Sequence, residues 1–208
     1  MEKQKIQTTS TLKKDEKILV VKRSVLFDQT FWTGFRPVDF SMYSDVIEKN
    51  KKFLWRSTVE NDPGFKQIIP YLVFEFDKKI FVMQRKSDAS EQRLQGKHSI
   101  GIGGHVNEED VTGKDIFDWA RREFHEEVDY SDKMEIIPIG MVNDDSTEVG
   151  RVHTGFVFML KGSTNKIKIK SELKSGQLIS LEECKKIKGS MEIWSLMVLE
   201  YLLQKQSV

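Results

Sequence analysis

Apolar and polar positions along this chain recur with two periods, and together they lay out most of its elements. Ile18 to Val21 is a short apolar run that reads as a strand. Asp39 to Lys52 carries apolar residues at helical spacing, with Met42, Val46 and Ile47 as its inner stripe. Ile68 to Phe76 and Lys79 to Gln84 are strand-like, and Asp77-Lys78 between them suits a tight hairpin. Lys97 to His105 is expected as one strand entering the pair Gly103-Gly104. A helix is predicted from about Asp115 to Val128, with Phe117, Ala120, Phe124 and Val128 as a stripe facing a sheet.

Further on, Met134 to Val142 and Val152 to Leu160 read as strands. Lys166 to Lys170 alternates Lys with Ile, as a charge-protected edge strand would. Gly176 to Ile179 is a further short strand. Ser180-Leu-Glu-Glu183 is a capping-box signature opening a helix. A last helix is expected from about Met191 to Gln204, burying Trp194, Met197, Val198 and Tyr201. Strands mixed with a few helices give an α+β or α/β sandwich. The main domain is expected at residues 67–208, and residues 1–66 as an N-terminal extension packed on it. Within that extension, Phe31 to Phe35 is an aromatic cluster around a glycine. It suits packing against the main domain, a dimer contact or part of a substrate wall.

Composition narrows the function classes. The 208 residues hold 13 Phe and 4 Trp, enough for a sizeable core, and the net charge is +1. That balance gives no global field favouring nucleic acid or a membrane surface. With one cysteine, Cys184, no internal disulfide can form, which suits a reducing compartment. No apolar run approaches the roughly 20 residues a membrane span needs, and the expected location is the cytoplasm.

The strongest chemical signal is a cluster of carboxylates. Glu123, Glu126 and Glu127 are spaced i, i+3 and i+4, so they share one face of the predicted helix. Like charges in that arrangement repel by roughly 0.2–0.5 kcal/mol per pair. A hard divalent cation with oxygen ligands would relieve them. Upstream lies Ser99 to Val106, ending in Gly-Gly-His-Val, followed by the acidic residues Glu108 and Glu109. Strand, glycine turn, acidic loop and a helix carrying Arg-Glu-x-x-Glu-Glu resemble the Nudix box.

Two departures from the family pattern stand out. Asp129 occupies the usual glycine position after the paired glutamates, and the stretch from Gly104 to Arg122 is about four residues longer. The box spans about residues 103–130, with the insertion around Val111 to Gly113. The resemblance implies a mixed sheet with helices on both faces. It also implies a hydrolase that cleaves a diphosphate bond in a nucleoside diphosphate linked to another group, using Mg²⁺ or Mn²⁺. Glu123, Glu126, Glu127 and the carbonyl of Gly103 are then the metal ligands. Arg122 is the organiser of the carboxylates, with Glu108 or Glu109 as its partner. The general base is Glu123 or an acid of the loop Asn143 to Glu148, with Glu148 ahead of Asp145. Arg85, Arg93 and Lys97 are candidates for the substrate phosphates.

The histidines are scattered and lack zinc-ligand spacing. Isopentenyl diphosphate isomerases share the fold but need a cysteine near the glycine turn, whereas Cys184 lies far downstream. A weakly catalytic nucleotide sensor on the same fold is the other reading. The expected partners are a small-molecule nucleotide or other diphosphate and a second copy of the chain, with neither nucleic acid nor membrane.

Overall fold

The longest apolar run of the chain, β4 (Phe65–Phe76), forms the centre of the sheet and is buried from Lys66 to Phe74. A computed structural model describes residues 15–27, 32–85, 96–110, 116–170 and 173–206. One side of β4 pairs in parallel with β10 (His153–Gly162), in a register that sets His153 opposite Gln67. A strand flanked on both sides and covered on both faces needs no polar alternation, which explains the continuous apolar sequence.

The other side of β4 is shared by three partners in succession, all antiparallel. β1 (Lys17–Lys22) places Val21 opposite Lys66. β7 (Ile102–Gly103) places Gly103 opposite Tyr71. β5 (Lys79–Arg85) returns through the hairpin at Asp77 and Lys78, both at positive φ. Positive φ at both central residues marks the turn whose twist matches the flanking strands.

The sheet extends from β10 to β9 (Met134–Asn143) and β2 (Gly34–Arg36), and from β5 to β12 (Leu173–Ser180). β3 (Lys52–Trp55) pairs with β1, and β6 (His98–Ser99) with β5. Among the described strands, β4–β10 is the one parallel pair.

Side chains alternate strictly between two cores. Ile68, Leu72 and Phe74 of β4, with Phe81 and Met83 of β5, face one; Tyr71, Val73, Ile80 and Val82 face the other. Over the first lie α2 (Phe40–Asn50), through Ile47, and α4 (Ile116–Glu127), through Trp119, Ala120 and Phe124. Phe124 stacks on Phe74 with ring centroids 5.8 Å apart. Burying one such side chain contributes about 1.5–3 kcal/mol. Over the second lie α6 (Leu181–Lys186), through Cys184, and α7 (Ile193–Gln206), through Val198 and Leu199. The result is an α+β sandwich: helices, mixed sheet, helices. β1 contributes Leu19 and Val21 to the first core, so the N-terminal residues share the main hydrophobic interior.

Local chemistry sets the helix ends. Asp39 caps α2 by accepting from the amides of Ser41 and Met42. The capping box at Ser180 and Glu183 is formed in both directions.

Four elements depart from the sequence reading. Met42 is 52% exposed, because five residues of helix rotate it roughly 140° from the buried Ile47. Lys97 to His105 is not one strand but two short ones, β6 and β7. The ring of Tyr71 fills the space where Gly101 would carry a Cβ, and Ser195 Oγ takes the amide of Ile100, so the chain breaks there. In α7 the fully buried residues are Ser195, Val198 and Leu199, while Trp194, Met197 and Tyr201 are half-buried. β11 (Lys168–Ile169) leaves the main sheet and pairs with β8 (Val128–Asp129) just beyond α4. Phe31 and the insertion at 111–113 lie outside the described residues.

Candidate active site

The glycine turn and α4 meet at Gly104 and Glu123. A Cβ built on Gly104 would lie 1.9 Å from Glu123 Oε1, so any larger residue there must push this carboxylate from its present position. Gly103 is constrained similarly, since its Cβ would approach the carbonyl oxygen of Pro70 to 2.9 Å. The apolar stripe of α4 faces the core, and Glu123, next to it on the helix, is 7% exposed. Glu126 and Glu127 follow one turn later, the first exposed and the second half-buried. The three glutamates are thus graded from the buried turn outward.

Arg122 ties the carboxylates to the turn. Its guanidinium donates to Glu126 Oε1 at 2.5 Å, to Glu123 Oε2 at 3.4 Å and to the carbonyl of His105 at 3.2 Å. Of its two expected partners, Glu108 is engaged elsewhere. Glu108 turns to Lys17 of β1, at 3.0 Å, and Glu109 is exposed. The reason is the path of the loop. Val106 accepts the amide of Leu19 at 2.8 Å, and Asn107 bridges to Ile18, so the loop runs beside β1 and delivers Glu108 to Lys17. Residues 104 to 108 are therefore held from both sides, by α4 first and by β1 afterwards.

Behind the turn lies a polar array that sequence reasoning missed. His105 Nε2 is 2.7 Å from Gln67 Oε1 and 3.2 Å from His153 Nε2. His153 Nδ1 is 2.7 Å from the carbonyl of Val149, which can only accept, so Nδ1 carries the proton. Gln67 donates through Nε2 to the Val59 carbonyl, so its Oε1 accepts from His105 Nε2, and His153 Nε2 faces that same N–H as an acceptor. Burial holds the His105 pKa down at about 3, with the charge of Arg56 and the His153 ring acting in the same direction. The neutral form is thus the working form of His105 near pH 7.

Lys66 continues the array. Its side chain is fully buried, and Nζ donates to Asp145 Oδ1 (2.8 Å), the carbonyl of Gly150 (2.8 Å) and the carbonyl of His153 (3.1 Å). Three donors meet three acceptors, which compensates the burial of the ammonium. Burial pushes its pKa down to about 8 against the opposing pull of Asp145. Asp145 also pairs with Arg23. Two facts brought these residues together beyond the reach of local pattern: the β4–β10 register and the pairing of β1 with β4. Two adjacent polar residues, Lys66 and Gln67, at the start of an otherwise apolar strand were the available signal.

The remaining candidates are placed as follows. Glu148 opens the short helix α5 (Glu148–Val152), capped by Thr147, and is exposed. Asp145 is engaged by Lys66 and Arg23, which removes it from the free acids of this loop. Arg85 ends β5, and Lys97 lies exposed just before β6. Arg93 lies outside the described residues. Cys184 is buried in the second core, and burial raises its thiol pKa to about 11.

The donor set suits a hard cation in kind: carboxylates on successive turns of α4 and a cradle at Gly104 that a Cβ would fill. Among the described residues, no three His, Cys, Asp or Glu side chains already converge on one point. Glu126 is instead drawn to Arg122.

Comparisons with known proteins bear on the fold and the family. No family model matches the chain. Protein YmaB of Bacillus subtilis (strain 168) is 33% identical over 207 residues, covering 91% of this chain and 98% of that protein. The crystal structure of Tm1382, "a putative Nudix hydrolase", is 34% identical, covers 91% of this chain and 99% of its own, and superposes with a TM-score of 0.78. The chain belongs to the Nudix hydrolase family. The MutT protein of Methanosarcina mazei Go1 shares the fold at 17% identity and a TM-score of 0.52, over 69% of this chain and 96% of its own. So does the NUDIX domain of Shewanella oneidensis NrtR, solved with ADP ribose, at 14% identity and a TM-score of 0.52, over 68% and 88%.

Proposed function

We propose that the protein is a Mg²⁺- or Mn²⁺-dependent hydrolase cleaving a diphosphate bond in a nucleoside diphosphate linked to another group. The observation that carries this reading is the fit of Glu123 against Gly104, with Arg122 and Glu126 on the same helix face. Glu123, Glu126, Glu127 and the Gly103 carbonyl would hold the metal, which when bound polarises the phosphoryl group and activates water. Glu126 would turn from Arg122 to join them. Arg122 keeps the turn and the helix in register through the His105 carbonyl. Glu148 is the base in this reading, since Asp145 is neutralised by Lys66 and Arg23. Arg85, Arg93 and Lys97 would meet the substrate phosphates.

The buried, high-pKa thiol of Cys184 supports setting the isomerase reading aside. A weakly catalytic sensor is favoured by one observation, the engagement of Glu126 by Arg122. A panel of nucleotide sugars, dinucleoside polyphosphates, ADP-ribose and nucleoside triphosphates, assayed with Mg²⁺, Mn²⁺ and EDTA, separates the two. Turnover abolished by EDTA supports the hydrolase, and saturable binding without turnover supports the sensor. A homodimer is part of the proposal, with Met42 and Trp55, 52% and 49% exposed in the N-terminal region, as its candidate contacts. A monomeric mass in light scattering would refute it.

A further inference from the structure

The polar array behind the glycine turn has a single residue that touches both walls of the candidate site. His153 faces the box through Nε2, 3.2 Å from His105 Nε2. It faces α5 through Nδ1, which donates to the carbonyl of Val149 at 2.7 Å. His105 is the residue after Gly104, which cradles Glu123, and its carbonyl takes Arg122. Val149 is the residue after Glu148. His153 is 7% exposed, and its own carbonyl is held by Lys66, which also holds Gly150 and Asp145. Its backbone is fixed opposite Gln67 in the parallel β4–β10 pair, and Gln67 in turn contacts His105.

We propose that His153 is a positioning residue that fixes the carboxylate face of α4 and the Glu148 turn relative to one another. One ring nitrogen sets the glycine turn and, through it, Glu123. The other sets the first turn of α5. This deepens the function proposed above and rests on it for its catalytic meaning, although the two contacts are properties of the fold alone. Groups that orient metal-binding residues from behind typically change metal affinity or activity about 10–100-fold when removed.

The two contacts can be separated chemically. In His153→Gln the amide oxygen takes the place of Nε2 and keeps the bond from His105, but the bond to Val149 is lost. In His153→Asn the amide nitrogen takes the place of Nδ1 and keeps the bond to Val149, but the bond from His105 is lost. His153→Ala loses both. The experiment is Mn²⁺ titration of the full chain by electron paramagnetic resonance, with amide hydrogen exchange across residues 100–108 and 146–152. The unfolding midpoint of each variant is recorded alongside.

Mn²⁺ affinity is expected to fall about tenfold or more in His153→Ala and His153→Asn, and to stay within about threefold of wild type in His153→Gln. Exchange of residues 146–152 is expected to accelerate in His153→Gln and His153→Ala but not in His153→Asn. Equal Mn²⁺ affinity in all variants, or Gln as weak as Ala, would overturn the proposal. A wild type that binds no Mn²⁺ would remove the hydrolase reading. The exchange data then decide alone: unchanged protection of residues 100–108 in His153→Ala would overturn the positioning role.

Discussion

Gly104 and Glu123 occupy one space. The carboxylate oxygen lies 1.9 Å from where a Cβ on Gly104 would be, so any side chain there must displace the Glu123 carboxylate. Gly104→Ala is therefore expected to push Glu123 aside. The carboxylate ends a flexible side chain on the eighth residue of α4 and has freedom to move, so the fold survives. Turnover should drop about 100-fold or more, since misplacement of a reacting group by about 1 Å costs that much. Circular dichroism and a steady-state assay on the purified variant check both halves.

Arg122 bonds Glu126, Glu123 and the His105 carbonyl at once. Lysine carries the same charge but cannot spread planar donors across three acceptors. Arg122→Lys should lose at most about 1 kcal/mol of stability, because the Glu126 partner is largely solvated. Activity should fall about 10–100-fold, as for other groups that orient metal ligands. A chemical denaturation curve beside the kinetics separates the two effects.

The array behind the turn makes stability depend on acid. His105 has a folded pKa of about 3 against an ordinary 6.5, so the unfolded chain binds its proton first. Its contribution to stability is therefore present above pH 6.5 and is lost as pH falls toward 3. The slope from one such group is at most about 1.4 kcal/mol per pH unit. Wild type should lose stability between pH 6.5 and 4.5 more steeply than His105→Gln, measured by urea unfolding in EDTA. Parallel pH profiles would show that His105 is protonated in the fold.

Cys184 is sealed between α6 and the second face of the sheet, with its thiol pKa near 11. At pH 7.5 iodoacetamide should leave the native chain unlabelled and should alkylate it fully in urea. Mass spectrometry reads the result. Labelling of the native protein would mean a thiolate accessible for chemistry.

The elements with strong local signals were legible in the sequence. The stripe of α4 was written at helical spacing, and Ala120, Phe124 and Val128 are fully buried. The hairpin at Asp77-Lys78 and the capping box at Ser180 rest on backbone chemistry within a few residues. What was not legible depends on strands distant in sequence. His105 and His153 meet because β4 and β10 run parallel in a register that no local pattern encodes. Glu108 finds Lys17 because β1 lies beside the box loop. Met42 shows the limit of stripe reading, since an apolar residue one turn from Val46 still points outward.

In the proposed function the glutamates of α4 hold a catalytic divalent metal. The most direct test is the double variant Glu126→Gln, Glu127→Gln, assayed against wild type for Mg²⁺-dependent release of product from the best diphosphate in the panel. These side chains are exposed or half-buried, so the variant should fold normally. Turnover is expected to fall about 100-fold or more, with a raised metal requirement. Wild-type turnover at the same Mg²⁺ concentration would contradict it.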